Sequence, residues 1–347
     1  MGRRTVIIDG HRFHALWLRD NCPCAACRHG SGQRLLDTRS LPEDLSIVRT
    51  AANGDLEVTF SDGHESCFAP AWLRRHMAEP EGRRRRLWDA RLQTSLPSFR
   101  WDDVAAGGPA LREWLAAVDE LGFALLTDGP TEPGSVTRAA GFFGFVRETN
   151  YGRLFDVVTV VDPTNLAYTG LGLGEHTDNP YRDPTPTLQL LHCLASSAEG
   201  GENTLVDGFR VAQELDDDEL RLLAAWPVSF RYADAEAELE AESPVISLDA
   251  RGEVQAVHYN TRSAQPLRLP DDVVEPYYDA YLHFGRLLES FAFRIRFKLR
   301  PGDLFVVDNL RVLHGRTGYA PTGGKRHLQG CYADRDGLRS RLAVLSR

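Results

Sequence analysis

The triplet His176-Thr177-Asp178 is followed far downstream by His314 and then by Arg326. Two imidazoles and one carboxylate can hold a mononuclear non-haem Fe(II) by one face and leave the other face open. A His and an Asp at i and i+2 leave an extended backbone on the same side, so both can reach one metal. Gly172 and Gly174 before them, with Asn179-Pro180 after, mark a loop able to bend and present them. A turn-rich stretch, Thr-Gly-Tyr-Ala-Pro-Thr-Gly-Gly, separates His314-Gly-Arg316 from Lys-Arg326-His-Leu-Gln-Gly-Cys-Tyr. A strand carrying the third ligand thus turns back into a neighbour carrying a guanidinium.

An Arg in that place can grip a carboxylate bidentately beside the metal. The arrangement suits 2-oxoglutarate, which chelates iron through its 1-carboxylate and 2-oxo group and offers its far carboxylate to Arg326. Thr204, in Gly-Gly-Glu-Asn-Thr-Leu-Val-Asp-Gly, can add a hydroxyl to the same anion. Arg316 is too close in sequence to His314 to face that anion from the neighbouring strand. A zinc hydrolase could also use His176 and His314, but Arg326 and Thr204 would then have no task.

Three further thiols crowd a single loop, Cys22-Pro-Cys24-Ala-Ala-Cys27. Thiolates at this spacing can converge on one tetrahedral Zn(II), which needs a fourth ligand from elsewhere. His64, Cys67 and His29 are the candidates, and His29 is awkwardly close to Cys27. With all four positions filled by protein, the zinc would be structural. A zinc-finger DNA reader is disfavoured, since the finger's helix and basic surface are missing.

The 347 residues suffice for one large domain and a smaller one, and 42% hydrophobic with 26% charged residues is ordinary globular composition. A formal net charge of −9 argues against nucleic acid or a membrane surface as partner. The N-terminus has no apolar run of signal-peptide length and no segment approaches a membrane span, so a cytoplasmic protein is expected. Short strands at 6–8, 46–48 and 56–60 predict a turn-punctuated N-terminal module over 1–76. Pro, Gly and the Arg83–Arg86 run suggest an exposed linker over 77–100, leaving 101–347 for the second domain.

In that second domain Leu111, Trp114, Leu115, Val118 and Leu121 recur at helical spacing and stop at Gly122. Residues 211–226 read as a second helix, and Val274, Tyr278, Tyr281 and Leu282 mark a third beginning near Pro270. Between them, 187–194, 204–206, 254–259, 303–307 and 327–332 read as strands. Many short strands with helices outside them predict a mainly β sandwich or barrel.

The phrases Trp17-Leu-Arg-Asp-Asn-Cys22, His176-Thr-Asp178, Leu190-Leu-His-Cys193, Val206-Asp-Gly-Phe209, Leu313-His-Gly-Arg316 and Arg326-His-Leu-Gln-Gly-Cys-Tyr-Ala-Asp334 resemble the taurine dioxygenase superfamily of Fe(II)/2-oxoglutarate oxygenases. Within it they resemble the γ-butyrobetaine and trimethyllysine hydroxylase branch, from about residue 15 to about residue 336. The resemblance implies a distorted double-stranded β-helix, a jelly-roll relative, behind an N-terminal zinc module in which His64 is the fourth ligand. It also implies O2 as second co-substrate and an aromatic cage of Tyr151, Phe155, Tyr168 and Tyr332 around a quaternary ammonium, whose charge is drawn to ring faces. Phe155 stands where the branch can have Trp, the stronger cation–π donor. Asn165 and Asn260 resemble amides that meet the substrate's anionic end, and Tyr181 is a further candidate near the metal loop. The implied reaction is γ-butyrobetaine to carnitine. Trimethyllysine or a trimethylammonio-phosphonate would fit a similar cage, and a catalytically inactive zinc-dependent binding module is the rival without chemistry. The expected partners are a small quaternary-ammonium molecule and, in a homodimer, a second copy of the chain.

Overall fold

The computed structural model describes residues 2–77, 85–158, 170–320 and 324–347. It divides into two units, Met1–Arg83 and Arg84–Arg347. In the first, strands β1 (Thr5–Ile8) and β2 (His11–His14) form a hairpin whose turn residues Asp9 and Gly10 both take positive φ, 48° and 82°. A two-residue loop of that hand matches the natural twist of the strands, which is why Asp-Gly serves there. Helix α1 (Ala15–Asp20) follows, then the antiparallel meander β3 (Ile47–Asn53), β4 (Asp55–Phe60) and β5 (Glu65–Phe68), closed by helix α2 (Pro70–Met77). Leu56, Val58 and Phe60 alternate inward along β4 and join Phe13, Leu18, Phe68 and Leu73 in the core of this unit.

The second unit opens with β6 (Ser98–Arg100), helices α3 (Trp101–Ala105) and α4 (Gly108–Leu121), β7 (Phe123–Thr127) and helix α5 (Ser135–Gly141). Strands β8 (Phe155–Val158), β9 (Leu173–His176), β10 (Leu188–Ser196) and β11 (Asn203–Asp207) come next. Helices α6 (Gly208–Ala212) and α7 (Asp217–Ala225) precede β12 (Pro227–Ala233), β13 (Glu238–Pro244), β14 (Ile246–Leu248) and β15 (Val254–Val257). After helix α8 (Asp271–Glu289) come β16 (Arg294–Phe297), β17 (Leu304–Asp308), β18 (Val312–Arg316), β19 (Arg326–Ala333) and helix α9 (Arg335–Leu345).

Strand alternation builds the layers. One sheet runs β6-β7-β17-β10-β19-β8 and the other β16-β11-β18-β9. Leu304 and Val306 of β17, with Leu188 and Leu190 of β10, face α3, α4, α5 and α9. Their neighbours Phe305, Val307, Leu191 and Cys193 face the opposite way and meet Leu205, Ile295 and Val312 of the second sheet. The outer face of that sheet, through Val206 and Leu313, packs on α6 and α8. The fold is the expected double-stranded β-helix with helices outside it.

Two expectations need correction. Residues 85–100 are no exposed linker: Trp88 is buried, its Nε1 donates to the Leu121 carbonyl at 2.7 Å, and β6 pairs parallel to β7. The Arg85 guanidinium lies 5.0 Å over the Phe209 ring, so its charge covers apolar surface. The helix expected over 211–226 is broken between α6 and α7, because Asp216 forms a capping box with Glu219 and starts a new helix. The helix ending at Gly122 is α4, whose stop has φ of +81°.

Candidate active site and zinc cluster

His314 of β18 lies directly opposite His176 of β9, which brings the ring centroids to 4.4 Å. Asp178 follows β9 on a loop pinned by Asn309, whose Oδ1 accepts from the Asp178 N–H at 2.7 Å. The Asn309 amide nitrogen donates to the Asp178 and Pro186 carbonyls at 2.8 and 2.9 Å. His176 Nδ1 lies 2.8 Å from the Gly174 carbonyl, so Nδ1 carries the proton and Nε2 is free to ligate. Nε2 of His176 is 3.3 Å from Asp178 Oδ1, and Nε2 of His314 is 3.8 Å from Oδ2.

Charge follows geometry. Burial raises the Asp178 carboxyl, but the adjacent His176 and His314 imidazoles and the hydrogen bond from the Tyr332 hydroxyl outweigh it and hold the group well below the usual carboxylate range. Burial, and then His176, push His314 down to about 3, which keeps its ring neutral. A carboxylate and two imidazole nitrogens within 4.8 Å of one another suit a divalent cation.

These ligands open into a cavity of about 460 Å³ that Arg316 and Arg326 also line. Arg326 is buried, with Nε donating to the Gly201 carbonyl at 3.0 Å and Nη2 to Asn203 Oδ1 at 3.1 Å. Its Nη1 is buried with no partner among the described residues. Burial, then the charges of Arg326 and Arg262, lower Arg316 to about 10. Arg231 and Arg262 line the cavity as well, whereas Asp178 is the one carboxylate in its described lining. Such a cavity fits an anion that reaches from the metal to Arg326.

Thr204 does not take the place expected of it. It is buried but absent from the cavity lining, because alternation along β11 turns it toward the face of Val206. Asn203, one residue earlier, faces the cavity and meets Arg326. Arg316 also lines the cavity, so its nearness to His314 in sequence does not keep it out.

The far wall is aromatic. The Phe155 ring stacks on Tyr332 at 5.1 Å, and Tyr151 tilts toward Phe155 at 6.2 Å. Tyr181 shares a hydrogen bond of 3.0 Å with Tyr151 and donates one of 2.7 Å to Asn179 Oδ1. Tyr232, which sequence reasoning missed, stacks on Tyr181 at 5.2 Å and meets Tyr151 edge-on at 5.6 Å. Asn260 lines the cavity, and its amide braces the metal loop by donating to the Thr177 carbonyl at 2.9 Å. Asn165 and Tyr168 lie outside the described residues.

In the first unit, Cys22, Cys24 and Cys27 place their Sγ atoms 3.2, 3.7 and 3.6 Å from His64 Nε2. Four soft and borderline donors this close fit a closed tetrahedral Zn(II) site. Cys67 is exposed beside Asp55, and His29 bonds its own loop at Ser31, so neither joins the cluster. Arg19 donates to Cys27 Sγ at 3.3 Å and pairs with Asp62, whose carboxylate accepts from the His64 N–H at 3.0 Å. Outer contacts of this kind orient the ligands.

A jelly roll with a facial His/Asp/His set beside a buried guanidinium defines a class, the mononuclear iron oxygenases. Residues 84–332 match the taurine catabolism dioxygenase TauD, TfdA family, and residues 8–74 match the gamma-butyrobetaine hydroxylase-like N-terminal family. The chain belongs to the TauD/TfdA family. It is 40% identical over 349 residues to a gamma-butyrobetaine dioxygenase of Pseudomonas sp. (strain AK-1), covering 96% of this chain and 91% of that protein. A mitochondrial trimethyllysine dioxygenase of Gallus gallus is 31% identical over 353 residues, with 96% and 83% covered. The non-heme iron oxygenase OrfP, solved with Fe, succinate and (3S)-hydroxy-L-Arg, shares the fold at a TM-score of 0.53 and 15% identity, with 73% and 88% covered.

Proposed function

We propose that the protein is an Fe(II)- and 2-oxoglutarate-dependent dioxygenase that hydroxylates γ-butyrobetaine to carnitine. The observation that carries the class is the joint geometry of His176, Asp178 and His314 with the Nη1 of Arg326, which has no partner among the described residues, in one cavity. The substrate rests on the 40% identity to a gamma-butyrobetaine dioxygenase and on the aromatic wall. Similarity to trimethyllysine dioxygenases makes trimethyllysine the nearest competitor.

Iron, when bound, supplies the activation of O2 and oxoglutarate. His176, Asp178 and His314 would hold it, and the chain does the rest by placement. Arg326, steadied by Gly201 and Asn203, would anchor the far carboxylate of oxoglutarate. Tyr151, Phe155, Tyr181, Tyr232 and Tyr332 would surround the trimethylammonium, because ring faces attract a large, weakly hydrated cation. Arg262, an exposed residue of the cavity lining, would attract the substrate's carboxylate alongside Asn260. Fixing both ends of the substrate selects one C–H for attack. Zn(II) on Cys22, Cys24, Cys27 and His64 would support the fold of the first unit and take no part in the reaction.

We also infer a cytoplasmic homodimer that binds neither nucleic acid nor membrane. No described helix is long and apolar enough to cross a membrane. Light scattering tests the dimer, which falls if the mass is that of one chain. The function is tested by comparing γ-butyrobetaine with 4-aminobutyrate: the trimethylated compound should drive oxoglutarate turnover and the primary amine should not. Equal turnover of both would remove the aromatic cage from the account.

A further inference from the structure

Gln189 of β10 sits directly opposite Tyr332 of β19 in the antiparallel register. Both side chains therefore leave the sheet on one face, opposite to that of Leu188 and Leu190, which enter the helix-side core. Each is nearly inaccessible, at 2% and 3% exposure. They converge on a single atom: Gln189 Nε2 donates to Asp178 Oδ2 at 2.5 Å, and the Tyr332 hydroxyl donates to the same oxygen at 2.9 Å.

We propose that Gln189 and Tyr332 are positioning residues for Asp178, holding Oδ2 so that the carboxylate stays aimed between the His176 and His314 imidazoles. The inference rests on the reading of Asp178 as a metal ligand. An ionised carboxylate only accepts hydrogen bonds, so the Gln189 amide has one permissible orientation. The opposite flip would press two acceptors together. The observed orientation leaves Gln189 Oε1 buried without a partner among the described residues. Oδ2 is thereby held by two donors 3.8 Å from His314 Nε2, and Oδ1 lies 3.3 Å from His176 Nε2, so the fixed carboxylate faces both imidazoles.

Tyr332 also belongs to the substrate wall. Phe155 stacks on it at 5.1 Å and 29°, and Gly330 makes this possible, since a Cβ there would sit 2.3 Å from Phe155 Cζ. One side chain thus touches the iron ligand at its hydroxyl and supports the cage through its ring. Removing the hydroxyl should loosen the metal and leave the cage standing.

The test uses the full-length, zinc-loaded protein stripped of iron and titrated with Mn(II) by calorimetry. Tyr332→Phe and Gln189→Leu should each bind Mn(II) about 10- to 100-fold more weakly, the range for lost outer contacts to a ligand. Their thermal midpoints without metal should match the parent. In turnover, Tyr332→Phe should raise the succinate formed per hydroxylated product. Mn(II) affinity within twofold of the parent in both variants overturns the proposal. If Gln189→Leu does not fold, Tyr332→Phe decides alone. Asp178→Ala serves as reference: unchanged binding in that variant would sink the metal site itself, whereas loss there and not in the other two sinks the positioning role.

Discussion

Replacing Arg326 with Leu should weaken oxoglutarate binding about 30- to 150-fold, which corresponds to about 2–3 kcal/mol at about 1.4 kcal/mol per tenfold. The size follows from the surroundings of the guanidinium. Arg326 is 6% exposed, so solvent screens it little, and two of its nitrogens are committed to Gly201 and Asn203. Nη1 remains for the anion, and one charge-assisted hydrogen bond in a buried site contributes about 1.5–3 kcal/mol. Arg316 stays in the cavity and keeps its potential positive, so the loss should stay below that of an isolated buried pair, about 3–5 kcal/mol. Arg326→Lys should lose about tenfold, since it keeps the charge but not the fork. Calorimetric titration of the Mn(II)-loaded protein with oxoglutarate measures this. An affinity within threefold of the parent would refute the reasoning, and a large loss in Arg316→Leu instead would move the anchor there.

His176→Ala and His314→Ala should each abolish substrate-coupled succinate formation with Fe(II), and near-parental turnover in either would remove it from the ligand set. One zinc per chain should survive chelation that strips iron, and Cys24→Ser should lower soluble yield and the melting temperature of the first unit; a zinc-free, stable, active protein would contradict the structural role. Gly330→Ala should displace Phe155 and raise the KM for γ-butyrobetaine about 5- to 30-fold, the worth of about 1–2 kcal/mol of cation–π attraction, with little change for oxoglutarate. Burial lowers His258 to about 4, so the folded protein keeps it neutral while the unfolded chain protonates near the ordinary value of 6.5. Its contribution is therefore full above pH 6.5 and lost as pH falls toward 4, by roughly 3–4 kcal/mol at most, and His258→Gln should flatten that part of the denaturation profile.

Much of the metal centre was legible because its ligands carry rare chemistry at a telling spacing. His176 and Asp178 lie two apart, and a turn-rich loop joins the strands of His314 and Arg326. The Cys22/Cys24/Cys27 loop was legible for the same reason, although spacing alone left His64, Cys67 and His29 in competition. Tertiary context decided the rest. Thr204 and Asn203 are neighbours, and a one-residue difference in a strand exchanges cavity for outer face. Gln189 sits in an apolar run and reads as strand interior until its register with Tyr332 is known. Tyr232 reaches the cavity from the β12–β13 hairpin, which no local pattern ties to the metal loop. The Trp88 segment looked like a linker because its arginines dominate the composition, yet the Trp88 ring is buried and the Arg85 guanidinium lies over the Phe209 ring.

Placed together in one cavity, the metal ligands, Arg326 and the aromatic wall would couple oxoglutarate decarboxylation to hydroxylation of a trimethylammonium acid. The most direct test of that coupling is the stoichiometry of products formed by Fe(II)-loaded protein with γ-butyrobetaine, oxoglutarate and O2, followed by mass spectrometry. Succinate and carnitine should form in equal amounts, with trimethyllysine and a trimethylammonio-phosphonate used poorly. Succinate without carnitine, or hydroxylation of one of those competitors in place of γ-butyrobetaine, would contradict the proposed reaction.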